Sequence, residues 1–246
     1  MILNIAAYLF VEIDDPGAVA ARVREWAEAR ELRGTVLVAH EGINLFLAGD
    51  EPAIHGFLDV LRGDARFAPI EAKFSRSRSQ PFARLKVKLK REIIAFRRED
   101  ASPLARRAPA VPPAVLAHWI EQGHDDTGRR LVLLDTRNRE EVGYGTFAGA
   151  LTLPIDNFTD LPTALAPYRE ELADATVVSF CTGGIRCEKA ALWLQADGMP
   201  NVLQLDGGIL GYFEQVGGQG YDGRCFVFDE RVALDPELRP LVDAAG

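Results

Sequence analysis

Residues 175–196 set the tightest limit on what this chain can fold into. Ala175–Phe180 is a short run without a charge, followed at once by Cys181-Thr182-Gly183-Gly184 and then by a helical stretch over Cys187–Ala196. A strand that shows no polar alternation has to be covered on both faces, which is the condition of a strand inside a parallel sheet. The same rhythm surrounds it. A helix is predicted over Pro113–Gln122, a buried strand over Leu131–Asp135 and a short strand over Ala150–Pro154. A polar helix at about 160–172, a strand over Val202–Leu205 and a helix from near Ile209 complete the series. Short apolar strands alternating with helices imply a parallel α/β sheet with helices on both sides.

The turn after Phe180 carries the chemistry. It lies where a parallel strand ends and a helix begins, the edge at which ligand sites collect in open α/β sheets. Two adjacent glycines let the loop curl so that successive N–H groups point inward, and the helix start adds its positive dipole end. A cysteine in that setting is held largely as thiolate. Cys181 is therefore the candidate nucleophile, Thr182, Gly183, Gly184 and Ile185 the candidate anion cradle, and Arg186 a fixed positive charge beside the sulfur. Cys187, six residues after Cys181, reads either as a resolving thiol or as a packed helix-start residue. Cys225, ahead of an apolar run, reads as packing. Asp135 and Arg137 form a strand-end polar pair suited to positioning the loop, and Glu188 and Lys189 read as solvated.

Residues 1–98 have a different pattern, with the order βαββαβ. Strand Ile2–Ile13 leads to a helix begun by Pro16, with Val19, Val23, Trp26 and Ala27 on one face. Gly34–Ala39 and Asn44–Ala48 are β-rich, Glu51–Arg62 is helical with Ile54, Phe57, Leu58 and Leu61 in register, and Ile70–Phe74 and Leu85–Phe96 supply further strand. This order suggests a ferredoxin-like α+β domain. Glu99–Pro113, with Pro103, Pro109, Pro112 and Pro113 and little periodicity, reads as a linker spanning 99–112. A second domain over 113–221 and a tail over 222–246 follow.

Charge sharpens this division. The chain of 246 residues carries a formal −8, yet residues 73–107 hold twelve Lys/Arg against three acidic side chains. In Leu85-Lys86-Val87-Lys88-Leu89-Lys90 apolar and basic residues alternate, placing three ammonium groups on one face at roughly 7 Å intervals. Such a row matches the phosphates of an extended nucleic-acid strand, or equally protects an edge strand from aggregation. Three cysteines without a CxxC pair argue against a disulfide framework or a Cys-rich zinc site. The four histidines show no ligand spacing, and no flavin or nicotinamide fingerprint is present, so no metal or organic cofactor is expected. No uncharged apolar run approaches the ~18 residues of a membrane-spanning helix. The N-terminus lacks a basic region before its apolar stretch, so a cleaved secretory signal is not expected and a cytoplasmic location is.

Four intervening residues separate Cys181 from Arg186, and with Leu134-Asp135-Thr136-Arg137, Gly145–Ala150 followed by Pro154, and Asp206-Gly207-Gly208-Ile209, the second domain resembles a rhodanese domain. In that family the tight loop holds a cysteine persulfide, whereas a loop one residue longer belongs to its phosphatase relatives. A closer resemblance covers nearly the whole chain. His40-Glu41-Gly42-Ile43-Asn44, Pro81-Phe82, Asp135–Asn138, Cys181–Lys189 and Gly223–Asp229 are similar to the bacterial tRNA uridine 5-hydroxylase family, which joins an acylphosphatase-like N-terminal domain to a rhodanese domain. The resemblance implies oxygen-dependent conversion of the wobble uridine to 5-hydroxyuridine, molecular oxygen as cosubstrate, tRNA as partner, and Glu41 and Asn44 facing RNA. Cys181, Arg186 and Cys187 are then the catalytic candidates. Thr182, Gly183, Gly184, Ile185, Asp135, Arg137, Lys86, Lys88 and Lys90 are the substrate-binding candidates. The loop alone equally fits a sulfurtransferase that takes sulfane sulfur from a small-molecule donor to a thiol acceptor. A non-catalytic binding module fits least, because the cysteine and its anion nest are intact. Neither a membrane nor DNA is expected as partner.

Overall fold

The computed structural model describes residues 1–243. It divides into two compact units, the first of Met1–Ala95 with Phe228–Val232 and the chain from Arg239, the second of Phe96–Val227 with Ala233–Leu238.

In the first unit, β1 (Ile2–Phe10), α1 (Pro16–Glu28), β2 (Arg33–Ala39), β3 (Gly42–Gly49), α2 (Glu51–Arg62) and β4 (Ala72–Ser77) follow in the predicted order. A further strand, β5 (Leu85–Leu89), completes a sheet of order β4-β1-β3-β2-β5. The first four strands in that order make the antiparallel ferredoxin-like sheet, with Ala6 facing Phe46 on one side of β1 and Lys73 on the other. Helix α1 starts where Asp15 accepts the Ala18 N–H at 3.0 Å and Pro16 fixes the first turn. It buries Val19, Ala20, Val23 and Ala27, while α2 buries Ile54, Phe57, Leu58 and Leu61, the spacing of a single helical stripe. Both stripes join Leu3, Ile5, Val36, Val38, Leu45 and Leu47 of the strands in one core.

Strand β5 lies on the edge and runs parallel to β2, with Thr35 opposite Lys86 and Leu37 opposite Lys88. Its alternation is only partly expressed. Leu85 and Val87 pack on the core and Lys86 and Lys88 are exposed, but Leu89 is 58% exposed, because an edge strand is covered from one side alone and this is its last residue. The strand ends at Leu89, so Lys90 follows it and Glu92–Phe96 is not strand.

The second unit opens with β6 (Ala110–Val111) and α3 (Pro113–Gln122), and continues through β7 (Leu131–Asp135), α4 (Arg139–Val142) and β8 (Gly145–Phe147). Then come α5 (Leu161–Leu165), α6 (Arg169–Leu172), β9 (Thr176–Phe180), α7 (Ile185–Ala196), β10 (Val202–Leu205) and α8 (Gly208–Val216). Three short strands finish it: β11 (Tyr221–Gly223), β12 (Cys225–Phe226) and β13 (Ala233–Leu234). Strands β6-β10-β9-β7 form an all-parallel sheet in that order. Every residue of β9 is buried, as a charge-free strand covered on both faces requires.

Further local readings differ from the sequence expectation, and the tail expected over 222–246 contributes to β11 and supplies β12 and β13, because Asp222 and Gly223 pair with β8 and Cys225–Phe226 pairs with Ala233–Leu234. Residues 99–112 form part of this unit, since Ala110–Val111 pairs with β10. The predicted polar helix over 160–172 is broken into α5, a single 3-10 turn at Ala166–Tyr168 and α6, because Pro162 and Pro167 each start a new first turn. Ala150–Pro154 forms only an isolated bridge, Leu151 to Leu134.

Candidate active site

Strand β9 delivers Cys181 to the carboxyl edge of the parallel sheet, and the chain turns there into α7 through Gly184, whose φ of 102° lies in the left-handed region. The loop from Cys181 to Cys187 is buried except at Gly183. The Gly184 N–H donates to Cys181 Sγ at 3.2 Å, and the N–H groups of Arg186 and Cys187 also point at the sulfur. These are unpaired donors of the first turn of α7, aimed at a group able to carry negative charge.

A second turn supports the first from behind. The N–H groups of Ile209 and Leu210 donate to the carbonyls of Cys181 and Thr182 at 2.9 and 3.0 Å. This contact needs Gly208, at φ 62°: a Cβ there would lie 2.6 Å from the Cys181 carbonyl oxygen and 2.7 Å from the Gly184 nitrogen. The Asp206–Ile209 segment is thus the back plate of the loop. The Cys181 and Thr182 carbonyls of the loop face α8, and the N–H groups of Gly184, Arg186 and Cys187 face the sulfur, which is what an anion nest requires.

Burial alone would raise the Cys181 thiol. The hydrogen bond from the Cys187 thiol, the Arg186 charge and the N–H groups of Cys187 and Arg186 outweigh it and bring Cys181 down to about 5. Burial and the neighbouring Cys181 sulfur drive the Cys187 thiol the other way, well above its ordinary range. Thr136 Oγ1 lies 3.9 Å from Cys187 Sγ. The two cysteines are therefore unequal: Cys181 is the thiolate and Cys187 a protonated donor beside it. Cys225 is fully buried, and burial pushes its thiol up to about 12.

The charge next to Cys181 is not a free guanidinium. Arg186 donates from both Nη atoms to the carboxylate of Glu141 at 2.6 and 2.7 Å, and both side chains are buried. Glu141 also accepts the Asn138 N–H at 3.1 Å and lies 3.5 Å from Thr182 Oγ1. Despite burial, Arg186 holds the Glu141 carboxyl below its ordinary range. Sequence reasoning missed Glu141, which stands in the charged run Arg139-Glu140-Glu141 and is drawn inward only by the fold.

Asp135 and Arg137 form a fully buried pair with bonds of 2.9 and 2.6 Å, and Arg137 Nη2 donates to the Gly145 carbonyl at 2.6 Å. Thr146 Oγ1 donates to Asp135 at 2.8 Å, and the Tyr221 hydroxyl donates to the same Gly145 carbonyl at 2.9 Å. The pair ties the end of β7 to the β8–β11 ribbon. Glu188 and Lys189 are 0% and 2% exposed, contrary to the expectation that they are solvated, and Glu188 is the partner of Arg107. The reason is the 99–112 segment, which brings Arg107 to α7.

Lys86, Lys88 and Lys90 belong to the first unit, on or just after its edge strand, and all three are exposed. Glu41 and Asn44 turn inward there. Glu41 accepts the Ile93 N–H at 2.7 Å and Asn44 Nδ2 donates to the Ile93 carbonyl at 3.3 Å, so the pair clamps the backbone just beyond the lysine row.

Residues 2–93 match the UPF0176 acylphosphatase-like domain and residues 115–215 the rhodanese-like domain. The chain is 71% identical over 244 residues to the tRNA uridine(34) hydroxylase of Xanthomonas euvesicatoria pv. vesicatoria, covering 99% of this chain and 98% of that one. It is also 71% identical over 246 residues to the Xanthomonas campestris pv. campestris protein of that name, covering 100% and 97% of the two chains. To the Xylella fastidiosa protein of that name it is 63% identical over 243 residues, covering 99% and 95%. With both domains present and the relatives matched end to end, the chain belongs to the tRNA uridine(34) hydroxylase family.

Proposed function

We propose that this protein hydroxylates uridine 34 of tRNA at C5, with the Cys181 thiolate as the reacting group of the enzyme and molecular oxygen as cosubstrate, one oxygen atom replacing the C5 hydrogen as hydroxyl and the other leaving as water with two electrons and two protons from an external two-electron reductant. The observation that carries the reading is end-to-end similarity to relatives named tRNA uridine(34) hydroxylase, joined to an intact thiolate site. Arg186 and the N–H groups of α7 hold the sulfur charged, Cys187 donates to it, and Glu141 fixes Arg186 in place. Thr182, Gly183, Gly184 and Ile185 form the surface the base meets, with Gly183 its most open point. Asp135 and Arg137 brace that surface through Gly145. Lys86, Lys88 and Lys90 contact tRNA phosphates, and the Glu41–Asn44 clamp on Ile93 sets the course of the chain that follows them. A cytoplasmic location goes with a tRNA substrate. Among the described residues no helix is long and apolar enough to cross a membrane.

The test is nucleoside mass spectrometry of tRNA from a strain lacking this gene, with any parallel route to the same nucleoside also disabled. Loss of 5-hydroxyuridine and its derivatives, restored by the wild-type gene, is the expected result; unchanged levels overturn the reading. Thiocyanate formation from thiosulfate and cyanide, abolished by Cys181→Ser, in a strain whose 5-hydroxyuridine is unchanged would assign the loop to sulfur transfer from a small-molecule donor instead.

A further inference from the structure

Most aromatic rings of the second unit are consumed by its interior. Phe147 meets Phe180, Tyr212 and Tyr221 edge-on at 4.9–5.1 Å between ring centres, and all four are buried. Tyr144 is different. It is 37% exposed, and its ring lies 5.3 Å from that of Phe226 at an interplanar angle of 44°.

The backbone at this exposed ring is firmly placed. The Tyr144 N–H donates to the Glu141 carbonyl at 3.2 Å, and its carbonyl accepts the Arg224 N–H at 2.8 Å. The opposing chain comes so near that a Cβ on Gly223 would lie 2.5 Å from the Tyr144 carbonyl oxygen. Both rings are also tied to the sulfur loop. Glu141, one helical turn before Tyr144, holds Arg186 with two hydrogen bonds, and the Phe226 carbonyl lies 3.4 Å from the hydroxyl of Thr182, the residue next to Cys181. A single exposed aromatic ring is ordinary on a protein surface. One fixed at its backbone, set against a second ring and anchored twice to a reactive loop is a built feature.

We propose that Tyr144, backed by Phe226, is the stacking surface for the target pyrimidine while that base meets the Cys181 sulfur. The proposal rests on the tRNA reading above and names the group that receives the base. An RNA base that reacts with an enzyme has to leave its neighbours in the strand, and that loss is offset by stacking on aromatic side chains.

Two measurements test the proposal. In cells lacking the endogenous gene, Tyr144→Leu is expected to lower 5-hydroxyuridine formation about tenfold, corresponding to about 1.4 kcal/mol. Tyr144→Phe, which restores the ring, recovers most of the activity, and the far-ultraviolet thiolate absorbance of Cys181 is the same in both variants as in wild type. Full activity of Tyr144→Leu overturns the proposal, and so does loss of the thiolate signal in that variant, which would make the ring a packing element. The second measurement needs no turnover: fluorine NMR of an anticodon stem–loop carrying 5-fluorouridine at the target position, bound to Cys181→Ser protein. An upfield displacement that Tyr144→Leu removes is expected, and a signal indifferent to Tyr144 overturns the proposal. If the wild-type protein forms no 5-hydroxyuridine, the functional reading fails separately and the fluorine signal alone decides the stacking.

Discussion

Gly208→Ala isolates the back plate of the sulfur loop. The added Cβ would stand 2.6 Å from the Cys181 carbonyl oxygen, 2.7 Å from the Gly184 nitrogen and 2.8 Å from the Gly183 carbonyl carbon, all of them backbone atoms of the loop itself. No rotamer change relieves such contacts, so the loop has to move away from α8. Placing alanine at φ 62° costs about 1–2 kcal/mol, and forced displacement of packed backbone about 1–3 more. For a chain of this size the total of about 2–5 kcal/mol corresponds to a melting temperature lower by roughly 5–15 °C. Because the same atoms aim the N–H groups at the sulfur, a displacement of order 1 Å is expected to cost about 100-fold in activity. The natural control is Gly183→Ala, whose Cβ has nothing within 4 Å and which should change stability by less than about 0.5 kcal/mol. Thermal unfolding by circular dichroism, thiolate absorbance and 5-hydroxyuridine formation are measured on both variants. The reasoning is refuted if Gly208→Ala melts with wild type and keeps its thiolate, or if Gly183→Ala is the less stable of the two.

Three other outcomes follow from the site and the basic strand. The Cys181 thiol is held below its ordinary value, so it stays ionised above pH about 5 and takes up its proton as the pH falls through that value. A far-ultraviolet titration, wild type minus Cys181→Ser, should step there, and a step near the ordinary thiol value of 9.0 would contradict the nest. Glu141→Gln leaves the buried Arg186 charge without its carboxylate, and denaturant unfolding should show about 3–5 kcal/mol of lost stability. The triple change Lys86→Glu, Lys88→Glu and Lys90→Glu should weaken tRNA binding and lower the slope of log affinity against log salt by about 2–3, the value for three phosphate contacts. An unchanged slope removes the lysine row from the interface.

Much of this architecture was legible because it depends on local pattern. The helical stripe of Ile54, Phe57, Leu58 and Leu61, the period-two run from Leu85 and the charge-free strand before Cys181 each announce their own environment. Partners far apart in sequence were not legible. Ala110–Val111 is too short to show a period, yet it extends the parallel sheet beside β10. Glu141 and Arg186 are separated by 45 positions, so nothing in the Arg139–Glu141 run marks one carboxylate as buried. Glu188 carried the same ambiguity, resolved only when Arg107 came to it across 81 positions. Alternation gave β5 as a strand, but its parallel place on the edge of the first sheet, with Leu89 open to solvent, is a property of topology. The Cys181 loop was readable for the opposite reason, since strand, glycines, arginine and helix all lie within a few residues.

The most direct measurement of the central claim is position-resolved mass spectrometry of tRNA from a deletion strain carrying either the wild-type gene or Cys181→Ser, both expressed to the same level under air. The account predicts that the fragment containing uridine 34 gains the mass of one oxygen atom with the wild-type gene and stays unmodified with Cys181→Ser. Hydroxylation of that uridine by the Cys181→Ser protein would contradict it.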